Sequence, residues 1–148
     1  KSRGEMADNR EKEDILEANK KFYVALGDRN IDLMRTVFVR DAKAGCMHPG
    51  WVMLRGWDAI MQSWENVFDP EDKLNIKLHN VTVDVNGDTA WVTCIQELTY
   101  VRREPVMMNV SVSTNIFERN ETGWLMVIHH ASPVPFETEE ETEEDNLQ

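Results

Sequence analysis

No stretch of this sequence stays apolar for the ~18 residues that a membrane-spanning helix needs, and no secretory hydrophobic region opens it. A membrane partner is therefore not expected. Cysteine is scarce: Cys46 and Cys94 are two, with no CxxC spacing, which excludes a disulfide framework and a zinc ribbon. Both fall in strand-like segments, where a small buried hydrophobe is the ordinary role, and a reducing, cytoplasmic setting is the expectation. Positive charge is short as well, with 16 Lys and Arg against 27 Asp and Glu and a net charge of −11. No basic stripe interleaved with aromatics exists, so nucleic acid is not an expected partner. There is no glycine-rich phosphate loop and no nucleophile elbow. The four histidines lack the i, i+4 spacing and third ligand of a metal site, so neither metal nor cofactor is expected.

The acidity is concentrated. "FETEEETEEDNLQ" (136–148) holds seven acidic residues and no Lys or Arg, which leaves about −4 for the rest of the chain by subtraction from −11. Such a run reads as a solvated, disordered tail. Met6, within a charged N-terminal stretch, reads as a native start. The 148 residues, 41% of them apolar, suffice for one domain with a core, and residues 10–135 read as that domain.

"REKEDILEANKKFYVAL" (10–26) predicts a helix with Ile15, Leu16, Phe22, Tyr23 and Leu26 on its apolar face and Gly27 as C-cap. "NIDLMRTVF" (30–38) predicts a short second helix capped by Asn30. "AKAGCMHPGWVML" (42–54) reads as two short strands around a His-Pro-Gly-Trp turn. "WDAIMQSWENVF" (57–68) is the clearest helix, with Trp57, Ile60, Met61, Trp64, Val67 and Phe68 in one stripe. Four long strands follow. In the first, Leu74, Ile76 and Leu78 alternate, and then Val81, Val83 and Val85 on the opposite parity, so a β-bulge is expected near His79-Asn80. Asn86-Gly87 and "NETG" (120–123) are hairpin turns. Helices first and an antiparallel meander after them make the class α+β.

Neither face of that meander is polar. One face takes Trp91, Thr93, Ile95, Glu97, Val110, Val112, Thr114, Ile116, Trp124, Met126, Ile128 and His130; the other takes Val92, Cys94, Gln96, Leu98, Ser111, Ser113, Asn115, Phe117, Leu125, Val127, His129 and Ala131. The helices can cover one face only. A symmetric homodimer packed through the other, outer face is the simplest expectation.

The segments "HPGWVMLRGWDAIMQSWENVF" (48–68), "GDTAWVTCIQELTY" (87–100), "STNIFER" (113–119) and "GWLMVIHHASP" (123–133) together resemble the SnoaL-like, ketosteroid-isomerase-like members of the nuclear transport factor two-like superfamily. Within it they lie near the association domain of calcium/calmodulin-dependent protein kinase. The resemblance spans roughly residues 12–134 and implies a cone: a curved, mixed sheet wrapped on N-terminal helices. It implies that the face carrying Gln96, Asn115 and His129 lines the cone, while His130 faces the dimer partner. In the kinase domain, arginines point into the cone; their positions fall on Gln96, Asn115 and Ala131 here, and a helix histidine falls on Ile60. The positive charge is lost, which argues against the kind of carboxylate ligand that domain binds.

The expected inward group is then Cys46 or His48, Trp51, Trp64, Gln96, Asn115 and His129, with Phe22 or Tyr23 from the first helix: an apolar cavity with a few polar groups, suited to an unknown small molecule. No carboxylate pair of the ketosteroid-isomerase type is found, because Glu97 and Glu118 point away and Asp41 and Asp58 lie near segment ends. The leading functional expectation is a homodimeric small-molecule-binding domain with ligand contacts from Tyr23, His48, Trp51, Trp64, Gln96, Asn115 and His129. Two alternatives stand beside it. One is a cofactor-independent isomerase, cyclase or dehydratase with His129 as catalytic base and Asn115 or Gln96 orienting the substrate. The other is an assembly module whose acidic tail binds a protein partner.

Overall fold

A computed structural model of the chain describes residues 3–135; the acidic run 136–148 lies outside the described residues. The elements are α1 (Arg3–Asp28), α2 (Ile31–Arg35), β1 (Gly45–Met47), β2 (Leu54–Arg55), α3 (Trp57–Val67), β3 (Leu74–Asn86), β4 (Thr89–Tyr100), β5 (Met108–Asn120) and β6 (Gly123–Pro133). The strands form one six-stranded sheet in the order β2-β1-β6-β5-β4-β3. β3 to β6 run as an antiparallel meander. The short β1 joins β6 in parallel, so the sheet is mixed.

α1 is longer than its apolar stripe predicts, and its end differs. Gly27 lies inside the helix, and the left-handed residue is Arg29, at φ 55°. Arg29 N–H reaches Leu26 O at 3.3 Å and Asn30 N–H reaches Ala25 O at 2.9 Å, the paired bonds of a Schellman motif. Gly27 is small for a different reason: a Cβ there would stand 3.1 Å from the Leu74 carbonyl oxygen of β3. Glycine lets the helix lie close on the strand. Gly27→Ala is expected to be near neutral in urea denaturation, since about 1 kcal/mol of helix propensity offsets the contact. Gly27→Leu is expected to lose about 2–3 kcal/mol through overpacking. Leu16, placed on the apolar face by spacing, is exposed instead.

Asn30 caps α2 as expected, its Oδ1 accepting from Leu33 N–H at 3.0 Å. α2 ends at Arg35, sooner than 38, because Val37 and Val39 leave the helix to bond Met126 of β6 through their backbones. The bulge in β3 is where the parity switch puts it, between His79 and Thr82, with Asn80 at φ 53°. It lets Ile76 and Leu78 before it, and Val83 and Val85 after it, all pack on the core.

A second bulge was not foreseen. Ile116 pairs with Ile128 and Phe117 with Met126, so Val127 is the extra residue of β6. The strand therefore changes parity there: Met126, assigned to the outer face by alternation, is fully buried, and Leu125 and Val127 are only partly buried. The core is Phe22, Phe38, Phe117, Ile15, Met34, Ile60 and Met126 with their neighbours, between α1, α3 and the inner face of the sheet. On the outer face Trp91, Ile95, Val110, Ile116 and Ile128 are partly exposed and Val112 is 47% exposed. Among the described residues no helix is long and apolar enough to cross a membrane.

Candidate functional site

Two layers of polar groups meet the inner face of the sheet. The deeper one is a closed hydrogen-bond network. Asn115 on β5 is fully buried and sits opposite His129 on β6. Its Nδ2 donates to Asn19 Oδ1 at 2.8 Å and to the Tyr23 hydroxyl at 3.1 Å. Its Oδ1 therefore faces His129 Nδ1, 2.6 Å away, and accepts from it. The Tyr23 hydroxyl donates to Gln96 Oε1 at 2.9 Å, which also accepts from Ser113. Donation thus runs one way, His129 to Asn115 to Tyr23 to Gln96, an arrangement in which each bond polarises the next.

This network fixes protonation. His129 lies with its ring 4.4 Å from that of Phe22. Burial, with repulsion from His48 and His130, pushes it down to about 3, so it is neutral with its proton on Nδ1. Burial raises the Tyr23 hydroxyl well above its usual value, and it stays protonated. The Cys46 and Cys94 thiols are free, buried and likewise raised, which keeps them as unreactive thiols.

The second layer is an open cleft of about 410 Å³ at one end of the sheet, walled by His48, Trp51, Leu98, Tyr100, Ser111 and Val134 among others. The His48-Pro49-Gly50-Trp51 turn builds one wall. Trp51 N–H bonds His48 O at 2.9 Å and Gly50 takes φ 81°, the type II geometry that Pro-Gly favours. It sets the His48 ring edge-to-face on Trp51 at 4.6 Å and on Trp64 at 4.2 Å. His48 Nε2 lies 2.9 Å from Ser63 Oγ, and Ser63 gives its hydrogen to Ile60 O at 2.7 Å. Ser63 can then only accept, so His48 carries its proton on Nε2. Burial pushes His48 down to about 4, again neutral. The two layers are adjacent, since Ser111 of the cleft pairs across the sheet with Gln96 of the network.

The residues singled out by sequence are therefore divided. His48 and Trp51 line the cleft, with Trp51 47% exposed at its rim. Tyr23, Gln96, Asn115 and His129 bond one another in the interior. Trp64 packs between Phe22 and His48, and its Nε1 is the buried side-chain donor without a partner among the described residues. His129 and His130 do point to opposite sides, and His130 bonds Ser132 on the outer one. Glu97 faces away from the interior, 3.7 Å from His79. Asn19, Ser63, Ser111 and Ser113 were missed. Asn19 had a signal: it breaks the apolar stripe of α1 between Ile15 and Phe22. Among the described residues no group of three His, Cys, Asp or Glu is placed to hold a metal ion.

Chemically, the interior offers satisfied hydrogen bonds rather than free ones. An imidazole that far below neutral pH is a weak proton acceptor. The cleft offers largely apolar walls with a few polar side chains, His48, Asn109, Ser111 and Tyr100 among them.

Comparison with known proteins fits this geometry. The family model for the SnoaL-like domain matches residues 15–137. F-box protein SKIP8 of Arabidopsis thaliana is 29% identical over 118 residues, 80% of this chain, and the chain spans about half (48%) of that protein. A Streptomyces avermitilis structure described as a candidate dehydratase of the NTF2-like family superposes with TM-score 0.79 at 27% identity, covering 86% of this chain and 99% of that one. A Thiobacillus denitrificans structure described as a candidate calcium/calmodulin-dependent protein kinase type II association domain gives TM-score 0.71 at 29% identity, covering 80% and 93%. The chain belongs to the SnoaL-like domain family and has the NTF2-like fold.

Proposed function

We propose that this chain is a homodimeric, small-molecule-binding domain that acts in the cytoplasm and takes its ligand in the cleft between the His48–Trp51 turn and strands β4 and β5. The cleft carries this reading. Its volume of about 410 Å³ lies in the range of ligand pockets, which combine mostly apolar walls with a few polar groups. Tyr23, Gln96, Asn115 and His129 then support the cleft floor instead of touching the ligand directly. The dimer forms through the outer face of the sheet, where the Ile95–Val112 and Trp91–Ile116–Ile128 rows flank Thr93, Thr114 and His130 and no helix among the described residues covers them.

Native mass spectrometry of the purified protein tests both parts. A dimer that carries a reproducible extra mass is the expected result; a bare monomer would remove the reading. Val112→Lys, which places like charges across the two-fold axis, is expected to convert the dimer to monomer in size-exclusion chromatography without lowering the helix and strand content.

A second reading is an isomerase, cyclase or dehydratase with His129 as base. It is favoured by the likeness to a structure described as a candidate dehydratase. His129→Ala distinguishes the two: turnover lost while affinity persists would favour the enzyme. A third, an assembly module, is favoured by the likeness to kinase association domains. Unchanged partners after deletion of 136–148 would count against a role for the acidic run.

A further inference from the structure

The walls of the cleft have a chemistry that restricts what can enter. None of the described residues lining it carries a formal charge, in a chain where 29% of residues are charged. Arg103 lies over the Tyr100 ring at 4.3 Å, and its guanidinium is held by both oxygens of Asp72. An ion entering the cleft would lose hydration without gaining a counter-charge, which is costly. Trp51 and Tyr100 supply aromatic surface, and Leu98, Met108 and Val134 supply aliphatic surface. Flat, apolar molecules bury well against such walls.

Among the polar side chains of the cleft, His48, Trp51, Tyr100, Asn109 and Ser111, His48 is the one whose tautomer is fixed by its own bonds. His48 is 6% exposed and lines the cleft. The Ser63–Ile60 bond fixes its proton on Nε2, so Nδ1 holds a lone pair, with no hydrogen-bond partner among the described residues. An acceptor in an apolar cleft selects a donor.

We propose that the cleft takes an uncharged, flat aromatic molecule bearing a hydroxyl group, and that this hydroxyl donates its hydrogen bond to His48 Nδ1, with Ser63 as the positioning residue. The proposal rests on the small-molecule reading above and narrows it. Because burial holds His48 near 4, the acceptor persists from pH 8 down to about 5.

Three probes of one shape test it by calorimetry at pH 7.5 on the full chain: 2-naphthol, 2-methoxynaphthalene and 2-naphthoate. Naphthol is expected to bind on the order of tenfold more tightly than the methyl ether, the worth of one hydrogen bond in a dry site, and naphthoate more weakly than either. His48→Phe keeps a ring in the wall and is expected to erase the preference for naphthol. Ser63→Ala leaves the imidazole in place, frees its tautomer and is expected to narrow the preference several-fold, with melting temperature as the check on folding in both. Naphthoate binding as tightly as naphthol overturns the proposal, as does an unchanged preference in either folded variant. Naphthol and its ether binding alike overturns it too, while leaving the small-molecule reading intact. Binding of none of the three sinks both.

Discussion

Replacing Asn115 with leucine is expected to remove roughly 3–6 kcal/mol of stability, an appreciable part of what a domain of this size has. Leucine has the branched shape of asparagine and is somewhat larger, so a cavity is not the cause. The cause is two stranded partners, His129 Nδ1–H and Asn19 Oδ1, while the Tyr23 hydroxyl loses one bond and keeps its bond to Gln96. A buried polar group left without a bond costs about 1–3 kcal/mol. Urea denaturation followed by tryptophan fluorescence measures the loss. The double variant Asn115→Leu with His129→Leu is expected to recover part of it, because the histidine then needs no acceptor. A loss below about 1 kcal/mol in the single variant would mean that the network does not hold the inner face of the sheet together.

Acid is expected to destabilise the fold steeply below about pH 6.5, the ordinary imidazole value. His129 and His48 are held neutral, near 3 and near 4, by burial. In the unfolded chain both take up protons below about 6.5. Over the interval between these values the unfolded state binds more protons than the native one, so stability rises with pH. It is complete above 6.5 and is lost progressively as pH falls towards 4. Two such groups give a slope of up to about 2–3 kcal/mol per pH unit. Urea midpoints at pH 7.5, 6.0 and 5.0 read it directly. His48→Gln, which cannot protonate, is expected to reduce the slope by about one proton. A flat profile would mean that water or a counter-charge reaches these imidazoles in the native state.

The order of elements was legible because its signals are local: the stripe in α3, the Asn30 cap, the Pro-Gly turn, and the parity switch that marks the bulge of β3. The bulge at Val127 was not legible. "WLMVI" is apolar at every position, so a change of parity leaves no trace in the residue types. Gly27 misled for a related reason, since a glycine near a helix end reads as a cap, whereas this one admits the carbonyl of Leu74. Strand alternation set His129 and His130 on opposite faces, the family resemblance implied that His129 is the inward one, and it is buried. Whether space remained beside it depended on Phe22, Asn19 and Asn115, which lie far from it in sequence and fill the interior. The cleft is the least local feature of all. His48 meets Leu98, Tyr100, Ser111 and Val134 only after β6 has bridged β1 to the meander, and no spacing along the chain encodes that meeting.

The proposed function puts ligand entry at the His48–Trp51 end of the sheet and gives buried His129 a structural role. A two-dimensional 1H–15N NMR titration of the labelled chain with 2-naphthol tests this most directly. The account predicts saturable shifts confined to Trp51, Leu98, Tyr100, Ser111 and Val134, with Asn115 and the groove between α1 and the β5–β6 turn unmoved. Shifts clustered instead at Glu17, Lys21 and Arg119–Trp124, the walls of that groove, would contradict it.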